Sequence, residues 1–122
     1  MSRELLDFLR ARLDDDEQVA RAAKPGPWAA DGGGVHATHP TDEVVSYTES
    51  AEHIARHDPA RILREVEVKR RIMEKHGASD RMEYSYFLCT GCSDGHPCDT
   101  LRLLALPYDD HPECREEWRP TP

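Results

Sequence analysis

Three cysteines fall within ten residues of this 122-residue chain. Cys89 and Cys92 form a Cys-x2-Cys turn around Thr90 and Gly91, and Cys98 follows after five further residues. Nothing else in the sequence constrains the fold as strongly, because thiolates at this spacing can reach one tetrahedral metal ion and anchor the chain on both sides of it. Such an anchor answers a need. The hydrophobic fraction is 38%, aromatics are 7% and charged residues 33%, lean material for a core. Structural zinc adds folding free energy directly in small domains. The length fits one ordinary domain spanning residues 1–122.

The chain starts with Met1–Ser2–Arg3–Glu4 and a charged, amphipathic continuation with no apolar signal core, so a cytoplasmic protein with reduced thiols is expected. In that compartment four cysteines and seven histidines favour a metal over disulfides. Zinc is the expected occupant, since soft thiolates select it. A redox Cys-x2-Cys would want a thioredoxin-like strand before it, and reduced, buried thiols without a metal are the competing plain reading.

A fourth ligand is needed, and His53, His57, His96 and Cys114 are the candidates. A ligand distant in sequence closes a longer loop and ties the cysteines to the helices, which favours His57 or His53. The expected site is Cys89, Cys92, Cys98 and His57, with zinc in a structural role. His53 and His57 share a helix face, as in a His-Glu-x-x-His metalloprotease helix. The residues between them are Ile54, Ala55 and Arg56, so no glutamate base stands where that chemistry needs one. A zinc-dependent hydrolase using His53, His57 and the cysteines would also need an open coordination position, which three thiolates and one imidazole close. Cys114 and His111 are three apart, a thiol–imidazole pairing supported by sequence proximity alone.

The remaining patterning predicts an α+β fold: two long helices, a small antiparallel sheet of two to three strands, and a C-terminal zinc knuckle with short helices. Leu5, Leu9, Leu13 and Ala20, widened by Leu6 and Phe8, make one apolar stripe, so residues 3–23 read as helix. Lys24–Pro25–Gly26–Pro27 stops it, and Trp28 is expected to plug the core. The acidic run Asp14–Asp15–Asp16–Glu17 reads as a solvated face rather than a cation site. A small sheet is expected over residues 28–48, with Gly32–Gly33–Gly34 as a hairpin turn and Val44–Thr48 as a strand. No Lys-Ser or Lys-Thr follows those glycines, which excludes a P-loop.

Helices are expected at 50–57 and 59–76, the second opened by Asp58 as N-cap and Pro59 at N1, faced by Ile62, Leu63, Val66 and Met73, and closed by Gly77. Residues 78–86 read as a linker into a strand at Tyr84–Leu88. The knuckle and short helices, Leu101–Leu106 ended by Pro107 and Glu113–Trp118, complete residues 84–118.

A net charge of −8 repels nucleic acid and anionic membrane at long range, and no apolar stretch approaches the ~20 residues of a membrane span. One local exception exists. Arg61, Arg64, Arg71 and Lys75 fall within an ~80° stripe of the second long helix, away from its apolar arc. A solvated face with Glu67–Arg71 pairing is the plain reading. The functional one is a docking stripe for an acidic protein partner, or for nucleic acid, which the net charge disfavours.

Several of these segments, in order and spacing, resemble a family of small uncharacterised actinobacterial and actinophage proteins. They are Ala23–Lys24–Pro25–Gly26–Pro27–Trp28, His53–Arg61, Leu63–Arg71, Cys89, Cys92, His96–Pro97–Cys98, Thr100–Ala105, Pro107–Tyr108 and Glu116–Trp118. More loosely, the chain is similar to a phage accessory-protein family with the same helix, small sheet, helix order. The resemblance implies a mobile-element or actinomycete context and supplies no catalytic residue. Together these observations lead to an expected zinc-stapled accessory or adaptor protein that binds another macromolecule without catalysis.

Overall fold

Leucines at positions 5, 9 and 13 recur every fourth residue, and the helix they specify, α1, runs Ser2–Ala22. In the computed structural model, Leu5, Leu6, Phe8, Leu9, Leu13 and Ala20 are all buried, so the stripe read from the sequence is the face that packs. The structure describes every residue except Met1, Pro40, Tyr84, Ser85, Ser93 and Thr121; for Ser2 and residues 79–83, 86 and 87 it describes the backbone alone. The fold is α+β. Contacts divide it into two compact units, residues 14–67 and residues 1–13 with 68–122, and the divisions fall inside the two long helices.

In the unit of residues 14–67, the chain leaves α1 through Lys24–Pro25–Gly26–Pro27, where the Gly26–Pro27 bond is cis. It then builds a three-stranded antiparallel sheet from β1 (Ala29–Asp31), β2 (Gly34–His36) and β3 (Glu43–Val45) in that order. The β1–β2 register pairs Ala30 with Val35 and Asp31 with Gly34. This two-residue hairpin needs positive φ at both turn positions, and Gly32 and Gly33 supply φ of 59° and 86°. The third strand is shorter than the β-branched run predicts: it ends at Val45, and Tyr47 is 70% exposed.

The short α2 (Ala51–Arg56) precedes α3 (Pro59–Lys75). Asp58 opens α3 as the sequence predicts. Its Oδ1 accepts the Arg61 N–H at 2.8 Å, satisfying one orphan donor of the first turn. Its Oδ2 accepts the Trp28 N–H at 3.0 Å, and Gly26 passes so close that a Cβ there would lie 3.0 Å from the same oxygen. One buried carboxylate thus fastens the proline-rich turn to the start of a helix. Trp28 is only half-buried, its indole N–H donating to the Lys24 carbonyl at 2.9 Å. It anchors the turn through a hydrogen bond and does not plug the core.

In the other unit, Leu5, Leu9 and Leu13 of α1 are buried, as are Met73, Leu88, Leu101, Ala105 and Trp118. The core tryptophan is therefore Trp118, whose ring centre lies 5.2 Å from that of Phe8. The guanidinium of Arg12 sits 5.1 Å above the Phe8 ring and reaches Glu113 at 3.3 Å. Arg115 stacks on Trp118 and pairs with Glu4. The hydrogen bond and charge of Arg115 hold the Glu4 carboxyl below its usual range.

Residues 78–86, read from sequence as a linker, differ most from expectation. They begin with strand β4 (Ala78–Glu83), which pairs antiparallel with β5 (Tyr86–Cys89), Glu83 opposite Tyr86 and Ala78 opposite Cys89. Tyr84 and Ser85 of the expected strand lie outside the described residues. The β4 sequence, Ala-Ser-Asp-Arg-Met-Glu, has no hydrophobic alternation, so it carries no strand signal.

Gly77 follows α3 without the left-handed φ expected of it; its carbonyl accepts the Thr90 N–H at 2.8 Å. After β5, α4 (Asp99–Ala105) ends in a 3-10 turn, Leu106–Tyr108, that contains Pro107. The last expected helix is reduced to a 3-10 turn at Glu116–Trp118.

Candidate metal centre

Antiparallel pairing of β4 with β5 returns the chain to where α3 ended. With Ala78 opposite Cys89, the residues just before one meet the residues just after the other. Thr90 donates its N–H to Gly77 and its hydroxyl to the Lys75 carbonyl at 3.4 Å. The Cys-x2-Cys turn is then closed by the Cys89 N–H on the Asp94 carbonyl at 2.7 Å and by a bridge between Leu88 and Gly95. Gly91 is needed in this turn. A Cβ on it would collide with the Lys75 carbonyl oxygen and stand 3.0 Å from Nδ1 of His76.

The result is a group of four donors, His76, Cys89, Cys92 and Cys98, whose ligand atoms all lie within 4.8 Å of one another. His76 Nδ1 is 3.3 Å from the Cys89 sulfur and 3.5 Å from that of Cys98. A nitrogen and a sulfur bound to one tetrahedral ion stand roughly 3.5 Å apart, so the donor set and its spacing fit a metal ion. Cys89 and Cys98 are buried, His76 is half-buried and Cys92 is the exposed residue of the four.

The electrostatics of the protein groups alone are those of thiols competing for one negative charge. Burial raises the Cys89 thiol, but hydrogen bonds from the Gly91 and Cys92 backbone and from the Cys92 and Cys98 side chains outweigh it and hold Cys89 below the ordinary thiol range. The Asp94 backbone pulls Cys92 down, yet burial and the Cys89 and Cys98 sulfurs push it up to about 12. A cation among the sulfurs reverses this competition, because metal binding deprotonates its thiol ligands.

His96 supports the group from outside it. The ring is buried, and its Nε2–H donates to the His76 main-chain carbonyl at 2.9 Å, pinning the backbone of that candidate donor. Burial pushes the His96 imidazole below its ordinary value. The next peptide bond, His96–Pro97, is cis. Arg102 caps the arrangement, donating to the carbonyls of Pro97 at 3.2 Å and Glu117 at 2.6 Å.

Of the four expected ligands, Cys89, Cys92 and Cys98 lie together in this group. The fourth donor is His76, where the sequence favoured His57. His57 stands at the C-terminal end of α2, its Nδ1 on the His53 carbonyl at 2.8 Å, and neither it nor His53 is in the donor group. The preference for a distant ligand was weak on physical grounds, since loop-closure entropy changes only slowly with loop length. The usable signal was a histidine at the end of a helix separated from Cys-x2-Cys by a segment of hairpin length.

Cys114 is likewise outside the group. Burial, with Asp109 and Asp110 working against Arg119, raises its thiol. Its expected partner His111 accepts the Glu113 N–H at Nδ1 instead. On α3, Arg64, Arg71 and Lys75 are exposed, while half-buried Arg61 pairs with Glu65 at 3.0 Å and donates to the Arg56 carbonyl. In the acidic run, Glu17 pairs with Arg21 at 2.8 Å. No helix among the described residues is long and apolar enough to cross a membrane.

No curated protein matches this chain, and no solved structure does. Residues 2–120 match the model of the "Family of unknown function (DUF6221)", and on that near-complete coverage the chain belongs to this family.

Proposed function

We propose that this is a small cytoplasmic protein stapled by a structural zinc ion, acting as an accessory or adaptor that binds a protein partner without catalysis. The observation that carries the reading is the donor set itself: three thiolates and one imidazole converging from the end of α3, the Cys-x2-Cys turn and the start of α4. Soft thiolates in a four-donor set select zinc over harder cations. Four protein ligands fill a tetrahedral sphere, whereas catalytic zinc keeps a position for water. The ion then serves to hold three chain segments together.

Partner binding rests on charge. A net −8 keeps the chain soluble and favours basic partner surfaces, while Arg61, Arg64, Arg71 and Lys75 of α3 offer an acidic protein surface a complementary stripe.

Elemental analysis of untagged protein purified without added metal tests the staple. Stoichiometric zinc, lost in Cys98→Ser and His76→Ala together with thermal stability, is the expected result; metal-free wild-type protein of unchanged stability overturns it. For the partner, Arg64→Glu with Lys75→Glu should abolish in-cell cross-links while leaving zinc content intact. Cross-links that survive the double reversal remove the stripe from the proposal.

A further inference from the structure

The histidines left out of the metal centre have a geometry of their own. His53 and His57 lie four residues apart at the end of α2, both exposed, with ring centres 4.4 Å apart and ring planes inclined by 36°. His57 Nδ1 contacts the His53 carbonyl at 2.8 Å. A carbonyl oxygen can only accept, so Nδ1 carries the proton and the neutral ring places its lone pair on Nε2. A backbone carbonyl on one ring nitrogen is the usual device by which a protein fixes the tautomer of a metal-ligating histidine. Two imidazoles bound side by side to one ion, with metal–nitrogen bonds of about 2.0–2.1 Å and a right angle between them, have ring centres roughly 4.5 Å apart.

We propose that α2 carries a second metal site, in which His53 and His57 chelate one divalent transition ion of the nickel or copper class. A right angle between two nitrogen ligands suits the square or octahedral preferences of those ions better than tetrahedral zinc. Only two positions are taken by protein, so the ion exchanges readily and its remaining positions are open to solvent. This site is separate from the cysteine centre in ligands and in purpose, and it does not depend on the structural-zinc reading.

The test uses the full-length, untagged chain, loaded with zinc so that the thiols are occupied, and titrated calorimetrically with Ni2+. Stoichiometric binding is expected. His53→Gln and His57→Gln should each weaken it by about a hundredfold, because each removes the chelate's effective concentration, whereas His39→Gln leaves it unchanged. Zinc content and thermal stability stay constant in all three, so failure here is distinguishable from failure of the cysteine centre. In the wild type, where no variant need fold, the ring-proton resonances of His53 and His57 should broaden before those of His39 and His111. No Ni2+ binding, binding undiminished in both glutamine variants, or broadening that falls first on other histidines overturns the proposal.

Discussion

In the unit of residues 1–13 and 68–122 the buried side chains are mostly large: Leu5, Leu6, Phe8, Leu9, Leu13, Met73, Leu88, Leu101 and Trp118. Among the described residues of the 14–67 unit the buried apolar side chains are small: Ala20, Val35, Ala37, Ala51, Pro59 and Val66. Each buried methylene is worth about 0.8 kcal/mol, so the second unit has far less hydrophobic stabilisation to draw on. Its buried carboxylate, Asp58, accepts from both Trp28 and Arg61. Where apolar volume is scarce, directional hydrogen bonds to one carboxylate and a glycine-defined hairpin fix the chain. In the first unit large apolar side chains do the same task, around a His/Cys group that could hold a metal ion.

Loss of the metal donors should separate the two units most sharply. Cys98→Ser, or prolonged chelation of the wild type, is expected to cost at least about 3 kcal/mol, since structural zinc contributes apparent binding energies well above that. Amide exchange locates the loss. Protection at Leu88, Cys89 and Leu101 should fall while that at Val35 and Ile54 persists. Equal loss in both units would show that their stabilities are not separable.

Leu9→Ala comes next, at about 2–5 kcal/mol by urea denaturation, because Leu9 is 1% exposed and its removal leaves a cavity in a packed core. Asp58→Ala should cost the other unit about 1–3 kcal/mol by the same measurement, leaving the Trp28 and Arg61 N–H groups without their acceptor. Asp58→Asn retains an acceptor oxygen and should recover part of the loss. If Asp58→Ala proves neutral, the contrast between a greasy unit and a hydrogen-bonded one fails.

The same contrast explains what could be read from the sequence. Leu5, Leu6, Phe8, Leu9, Leu13 and Ala20, the apolar stripe assigned to the first helix, are all buried, because a leucine-filled period of 3.6 marks the face that packs, while Val19, off that stripe, is exposed. Asp58–Pro59 and Gly32–Gly33 were legible because backbone chemistry dictates them locally. Three cysteine donors followed from spacing alone. His76 did not, since its place in the donor group comes from the pairing of β4 with β5, and β4, Ala-Ser-Asp-Arg-Met-Glu, has no alternation to betray a strand. Trp28 and Trp118 could not be ranked for burial by residue type. Their surroundings decide it: a hydrogen-bonded turn for one, the Phe8 ring and Arg115 for the other.

The smallest expected effects sit side by side in the β1–β2 turn. Gly32 and Gly33 both have positive φ, so an alanine at either position carries the left-handed penalty, about 1–2 kcal/mol. Their surroundings differ. A Cβ at Gly32 meets nothing within 4 Å, whereas one at Gly33 would stand 2.7 Å from two carbons of the Tyr47 ring. Tyr47 is largely exposed and can swing away, at the expense of its packing on the hairpin. Gly33→Ala should therefore exceed Gly32→Ala by a few tenths of a kcal/mol up to about 1 kcal/mol. Tyr47→Ala in the Gly33→Ala background should erase that difference, since it removes the clashing ring and leaves the shared backbone penalty. A double-mutant cycle with no coupling between positions 33 and 47 would mean that the ring does not rest on the hairpin in solution, and that the glycines alone define this turn.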